Sequence, residues 1–97
     1  MESSTYLPIN IFEEFDILSH SCAPKAVVYD GELFELFVRS YKFPYLYGDE
    51  RMLEVGYRSI SVDEDGDYTY LWYVNGKTIE DCDKRIFDGL DKWGIKY

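Results

Sequence analysis

The segment NGKTIEDCDKRIFDGLDKWG, residues 75–94, constrains this chain more than any other. Ile79, Cys82, Ile86, Leu90 and Trp93 recur at spacings of three and four, with Phe87 beside them, which predicts a helix carrying one apolar stripe. Thr78 stands where an N-cap belongs, and Gly94 can supply the left-handed stop. On the outer side, Glu80–Lys84, Asp81–Arg85 and Asp88–Lys92 are i, i+4 pairs in the favourable orientation. A helix of this kind draws its stability from whatever covers its stripe. The rest of the chain must therefore build an apolar surface to receive it.

The preceding sequence offers strands for that surface. In KAVVYDGELFELFVRSYKF, Asp30-Gly31 between apolar runs is a hairpin signal, because a type I′ turn needs positive φ at both central positions. Phe34, Phe37, Val38 and Tyr41 also fit a helical spacing with Asp30 as a cap, so two readings stand. The strand reading is favoured, since Val, Phe and Tyr pack best on a pleated surface. FPYLYGDE reads as a turn region around Pro44 and Gly48, with Tyr41, Phe43, Tyr45 and Tyr47 at period two.

A second hairpin is expected in VDEDGDYTYLWYV, with Asp65-Gly66 as a two-residue loop. That register sets Ile60 against Leu71, Val62 against Thr69 and Arg58 against Tyr73. It sends Tyr57, Tyr68, Tyr70, Trp72 and Val74 to the opposite face. One face would be aliphatic and covered by the C-terminal helix, with Ile60, Val62 and Leu71 touching its stripe. The other would be aromatic, either covered by the N-terminal segment or the Tyr41–Tyr47 stripe or left exposed as a contact surface. Towards the N-terminus, Asn10 can cap a short helix with Glu13 at its third position, ending near Ser19, with Ile11, Phe12, Phe15 and Leu18 on one side. The expected fold class is α+β: an antiparallel β-meander of three to five strands, a C-terminal helix packed on one face and a short N-terminal helix. Ninety-seven residues make one domain, because a chain this short buries only about two thirds of its unfolded surface and cannot supply two cores.

Charge narrows the function classes. The chain has 19 acids and 10 bases, a formal net charge of −9. The excess is global: residues 1–48 carry 7 acids and 3 bases, and residues 49–97 carry 12 and 7. Such a field repels phosphate backbones and anionic lipid and steers the chain towards basic protein surfaces. Direct nucleic-acid binding is disfavoured, although aromatics that could stack on bases are plentiful. The opening MESSTYLPINIFEE has no basic n-region and no uninterrupted apolar run, which argues against a signal peptide or a membrane span and points to the cytoplasm, or to a host cytosol if the protein is phage-encoded.

Motifs for catalysis or metal are weak. The acids of DEDGD suggest a calcium loop, but starting at Asp63 puts Tyr68 at the sixth position and Val74 at the twelfth, where Gly and Glu are required. His20, Cys22 and Cys82 lack the paired spacing of zinc ligands. No disulfide framework is expected from two cysteines, and both are read as free, small, buried thiols. Close carboxylate pairs such as Glu13-Glu14, Glu32 with Glu35 and Asp81 with Asp83 arise by chance among so many acids, and GxGxxG and GxxxxGK are absent. We expect no enzyme, no cofactor and no metal site.

What remains is an aromatic surplus of ten Tyr, six Phe and two Trp. Tyr and Trp are enriched at interfaces, where they supply large contact area at low entropic cost. The expectation is therefore a small acidic non-enzymatic inhibitor docking on a basic surface of a partner. A nuclease or other nucleic-acid enzyme of a defence system fits, its groove occupied by carboxylates in place of phosphates, as for a phage-type antagonist. An immunity protein against a nuclease toxin, or an assembly subunit oligomerising through its aromatic face, are the alternatives. The contact residues expected are Asp63, Glu64, Asp65 and Asp67 at the hairpin tip, Tyr68, Tyr70 and Trp72 behind them, and Asp49 and Glu50 in second rank.

Overall fold

The computed structural model describes residues 7–8, 11–42 and 51–97. Its elements are β1 (Leu7–Pro8), α1 (Ile11–Ser19), β2 (Ala26–Tyr29), β3 (Glu32–Lys42), β4 (Arg51–Ser59), β5 (Tyr70–Gly76) and α2 (Ile79–Trp93). Strands β2 to β5 form an antiparallel meander curled as a half-barrel, so the fold is α+β as expected. Strand β1 pairs with the far end of β3, on the same edge as β2. Among the described residues no helix is long and apolar enough to cross a membrane.

The turn at Asp30-Gly31 decides the local conformation that the sequence left open. Both residues take positive φ, 52° and 78°, and Tyr29 pairs with Glu32, which is the two-residue hairpin geometry. Residues 32–42 are then extended. Pairing with β4 from Phe34–Ser59 to Lys42–Arg51 satisfies the backbone along most of the strand, and that non-local ladder overrides the competing helical spacing.

Between β2 and β1 the outer edge of β3 has no strand partner, and α1 lies across the gap. The Leu36 N–H donates to the Lys25 carbonyl at 2.9 Å, and the Ser40 N–H donates to the Glu14 carboxylate at 2.9 Å. With Glu14 anchored there, Ile17 and Leu18 turn towards the core. Phe15 lies a third of a turn away and is 74% exposed, so it does not share the inward side expected for it. Asn10 and the side chains of Ile11, Phe12 and Glu13, like the turn region 43–50, lie outside the described residues.

The helix stripe is buried as its spacing predicts. Ile79, Cys82, Ile86 and Leu90 pack on Phe34, Leu36, Val38, Leu53, Val55 and Tyr57, with Ile95 closing the end. The Thr78 hydroxyl accepts from the Asp81 N–H at 3.2 Å, and Gly94 takes φ 69°. Trp93 sits at the margin, its ring 5.1 Å from Tyr29 and 6.4 Å from Trp72. Asp83, buried on α2, accepts from the Ser21 hydroxyl at 2.6 Å and from the Cys22 N–H at 2.8 Å. A buried carboxylate needs such donors, and here they tie the irregular segment after α1 to the helix. Ile60 and Val62, expected beneath α2, are instead 52% and 46% exposed. Strand β4 ends at Ser59, so the aliphatic layer comes from Leu53 and Val55 and from β3.

Candidate docking site

The β4–β5 connection is built on Asp63. Its N–H donates to the Asp67 carbonyl at 2.9 Å, and its own carbonyl accepts from Gly66 at 3.0 Å. Its Oδ1 accepts from the N–H of Asp65 and of Asp67, each at 2.9 Å. Gly66 takes φ 84°. This is a three-residue hairpin loop, a β-turn followed by a left-handed glycine, rather than the two-residue loop expected at Asp65-Gly66. Aspartate at the first turn position captures two amides, and that gain selects the longer loop. Further down, Ser59 and Thr69 close the ladder, with the Ser59 N–H donating to the Thr69 carbonyl at 2.7 Å and the Thr69 N–H donating to the Ser59 hydroxyl at 3.0 Å.

Of the four acids expected at the tip, Asp63 is thus spent on the loop itself. Glu64, Asp65 and Asp67 are exposed. Ile60 and Val62 stand exposed on the strand-side approach to them.

The aromatic residues behind the tip do not form the single face expected. Tyr57 pairs with Trp72, but Arg58 pairs with Tyr70, so Leu71 is an extra residue in β5. A β-bulge of this kind reverses the side-chain alternation beyond it. Tyr57 and Trp72 therefore lie on the α2 side, their rings 5.4 Å apart, with Leu71 also packed against the core. Tyr68 and Tyr70 lie on the outer side with Tyr73, at ring distances of 6.5 Å and 6.4 Å. Trp72 is a half-buried core residue and leaves the docking set. Asp49 and Glu50 lie outside the described residues.

The outer face contains residues that the sequence reading did not single out. At its centre Phe37 pairs with Gly56. A Cβ on Gly56 would stand 2.2 Å from the Trp72 carbonyl oxygen, so only glycine fits. Glu35 pairs with Arg58 on one side of this centre, and Arg39 with Glu54 on the other. The Arg39 and Arg58 guanidiniums stand 5.2 Å and 5.3 Å from the Phe37 ring. Arg58 also lies 4.0 Å from the Tyr68 ring, and Arg39 lies 5.1 Å from Tyr70. Arg39 Nε is 3.2 Å from Glu54 Oε1, yet off the line of a hydrogen bond; the contact is an ion pair, and the stacked rings fix the plane of the guanidinium. The signal was present as two reciprocal runs, Glu35-x-Phe37-x-Arg39 and Glu54-x-Gly56-x-Arg58. Antiparallel pairing turns each into the complement of the other.

Among the described residues no three His, Cys, Asp or Glu gather to hold a metal ion. Cys82 is buried and its pKa is pushed up to about 11, chiefly by burial, with Arg85 opposing and Asp83 and Asp81 adding to the rise. It stays a protonated thiol. Cys22 is exposed rather than buried, and both cysteines are free. His20 is exposed, 3.9 Å from Asp16. A cleft of about 540 Å³ between β2 and the C-terminal residues is lined by Val28, Tyr29, Leu33, Trp93 and Ile95, with Asp30 and Lys96 as its charged groups. Comparison with known protein families, curated proteins and solved structures gives no match to this chain.

Proposed function

We propose that this chain is a non-enzymatic binding protein that docks on a basic surface of another protein through the β4–β5 loop. A nucleic-acid enzyme, whose cationic groove the loop would occupy in place of phosphates, is the target class we infer, and inhibition is the consequence. The supporting observation is that Asp63 takes two loop amides onto one carboxylate oxygen while Glu64, Asp65 and Asp67 stay exposed. A loop already ordered by its own hydrogen bonds loses little conformational entropy on binding. The global charge of −9 raises the encounter rate with a cationic surface, and Ile60 and Val62 supply apolar area next to the acids. Arg39 and Arg58 lie on the outer face, each opposite a glutamate, so these pairs add no net positive charge beside the loop.

The test is a capture experiment with two baits, the wild-type chain and a variant carrying Glu64→Lys, Asp65→Lys and Asp67→Lys. The expected result is a basic nucleic-acid-handling protein retained by the wild type, released by salt and by added duplex DNA, and not retained by the variant. Equal retention by both baits, or release indifferent to salt, would remove the loop from the interface.

A further inference from the structure

The two edges of the sheet are finished differently. On the β3 side, the edge is taken by two short strands and a helix. β1 has two residues, one of them Pro8, and β2 has four, preceded by Pro24 and Lys25. Short strands, proline and lysine are the means by which sheets discourage further pairing. Lys25 Nζ is in addition held by the Leu18 and Ser21 carbonyls, at 3.1 Å and 3.2 Å.

The other edge carries none of these except its bulge. Among the described residues β5 pairs with β4 alone. Residues 68–76, YTYLWYVNG, contain no charge and no proline. Backbone groups along a strand alternate in direction. The Trp72 carbonyl lies against Gly56, so the N–H and C=O of Tyr73 face away from β4, and those of Asn75 with them. Arg85 donates to the Asn75 carbonyl, whose second lone pair remains.

We propose that this edge pairs antiparallel with the same edge of a second copy, about a two-fold axis at Tyr73. The complement of an open strand edge is another strand, and an isologous contact closes after two subunits. The uncharged strand admits this occupant. Two copies of net charge −9 repel wherever acids meet, but no charged residue of 68–76 is brought opposite another in this register. Tyr73, 47% exposed, would then lie beside its symmetry mate, an aromatic pair across the new ladder. The inference is independent of the loop reading and responds oppositely to salt. Screening weakens attraction to a basic surface and strengthens contact between two like-charged chains.

Size exclusion with light scattering over a range of chain concentrations, at low and high ionic strength, tests it. The expected species has the mass of two 11.5 kDa chains, more abundant at high salt. Tyr73→Lys places a charge on the edge, and Asn75→Pro removes an outward donor without touching the β4 ladder. Each should raise the dimer dissociation constant at least about ten-fold, with circular dichroism showing the fold retained in at least one of them. The triple loop variant, which lowers the like charge of each chain, should dimerise at least as well as the wild type and more tightly at low salt. A monomer under every condition, assembly beyond two chains, or a dimer that survives both edge substitutions in folded protein would overturn the proposal.

Discussion

The two faces of the sheet are closed by different physics. On one, α2 lays Ile79, Cys82, Ile86 and Leu90 over Leu53, Val55 and Tyr57, an interior of the ordinary kind in which area removed from water supplies the stability. On the other, Phe37 is only 2% exposed, and α1 borders it, with Phe15 and Leu18 lining one cleft together with Phe37, Arg39 and Arg58. Among the described residues the Phe37 ring meets the Arg39 and Arg58 guanidiniums and the edge-on Tyr70 ring, all within reach of favourable ring contact. Among the described residues this face is a layer of the sheet's own side chains with charges in it, which should respond to charge substitutions that the α2 side would ignore.

The largest expected effect comes where the faces share a backbone. Gly56 belongs to the outer face, but its missing Cβ leaves room for the Trp72 carbonyl at 2.2 Å and for the Tyr73 Cα at 2.5 Å. Gly56→Ala must push β5 away from β4 and should cost about 3 kcal/mol in urea unfolding, at the upper end for an added methyl group. Gly89→Ala is the contrast. Its Cβ would meet only the tip of the Trp72 ring, at 3.0 Å, and alanine gains about 1 kcal/mol of helix propensity, so the two terms should nearly cancel. A loss at Gly89 as large as at Gly56 would mean that the ring on the α2 side is as immovable as the backbone on the other.

How far these faces are legible in the sequence depends on whether the information is local. The α2 stripe, its Thr78 cap and its Gly94 stop need only neighbouring residues, and all three are where spacing places them. The Asp30-Gly31 turn is equally local, and once it is made, residues 32–42 follow as a strand. The bulge at Leu71 is different. It lies next to the close approach of two backbones at Gly56, no alternation within β5 announces it, and it divides Tyr57 and Trp72 from Tyr68 and Tyr70. The acids of the loop are plain in composition, but that Asp63 accepts from two loop amides depends on a turn type that Asp-Gly alone does not fix. The reciprocal Glu-x-Phe-x-Arg and Glu-x-Gly-x-Arg runs acquire meaning only after β3 and β4 are known to pair.

A middle-sized effect probes the deep side by pH. The Tyr57 hydroxyl donates to the Pro24 carbonyl at 2.9 Å, and burial, followed by the nearby Asp83 charge, pushes its pKa well above the usual 10.0. Cys82 is likewise raised, from 9.0 to about 11. Both groups are neutral when protonated, and the folded state holds their protons more tightly than the unfolded chain does. Their contribution is therefore complete below about pH 9 and is lost as pH climbs through 11 and beyond. Tyr57→Phe should cost about 1 kcal/mol near neutrality through the lost hydrogen bond, and should flatten the alkaline decline measured by urea midpoints. An alkaline limb that Tyr57→Phe and Cys82→Ala both leave intact would place the titrating groups elsewhere.

The smallest expected effect separates stacking from ion pairing in the outer layer. Arg58 lies over Phe37 and Tyr68, with its Nε 3.7 Å from Glu35 Oε2 and its side chain 27% exposed. A pair this long and this wet contributes only a few tenths of a kcal/mol, whereas a guanidinium on two rings is worth up to about 1 kcal/mol. Arg58→Lys keeps the charge and loses the plane; Arg58→Met keeps the aliphatic stem and loses both. If the rings hold the layer together, the two variants should be destabilised alike, by about 0.5 to 1 kcal/mol, with little change between low and high salt. Recovery of wild-type stability by Arg58→Lys, together with a loss in Arg58→Met that salt abolishes, would reassign the layer to its glutamates. The two faces would then differ in charge alone and not in how their side chains pack.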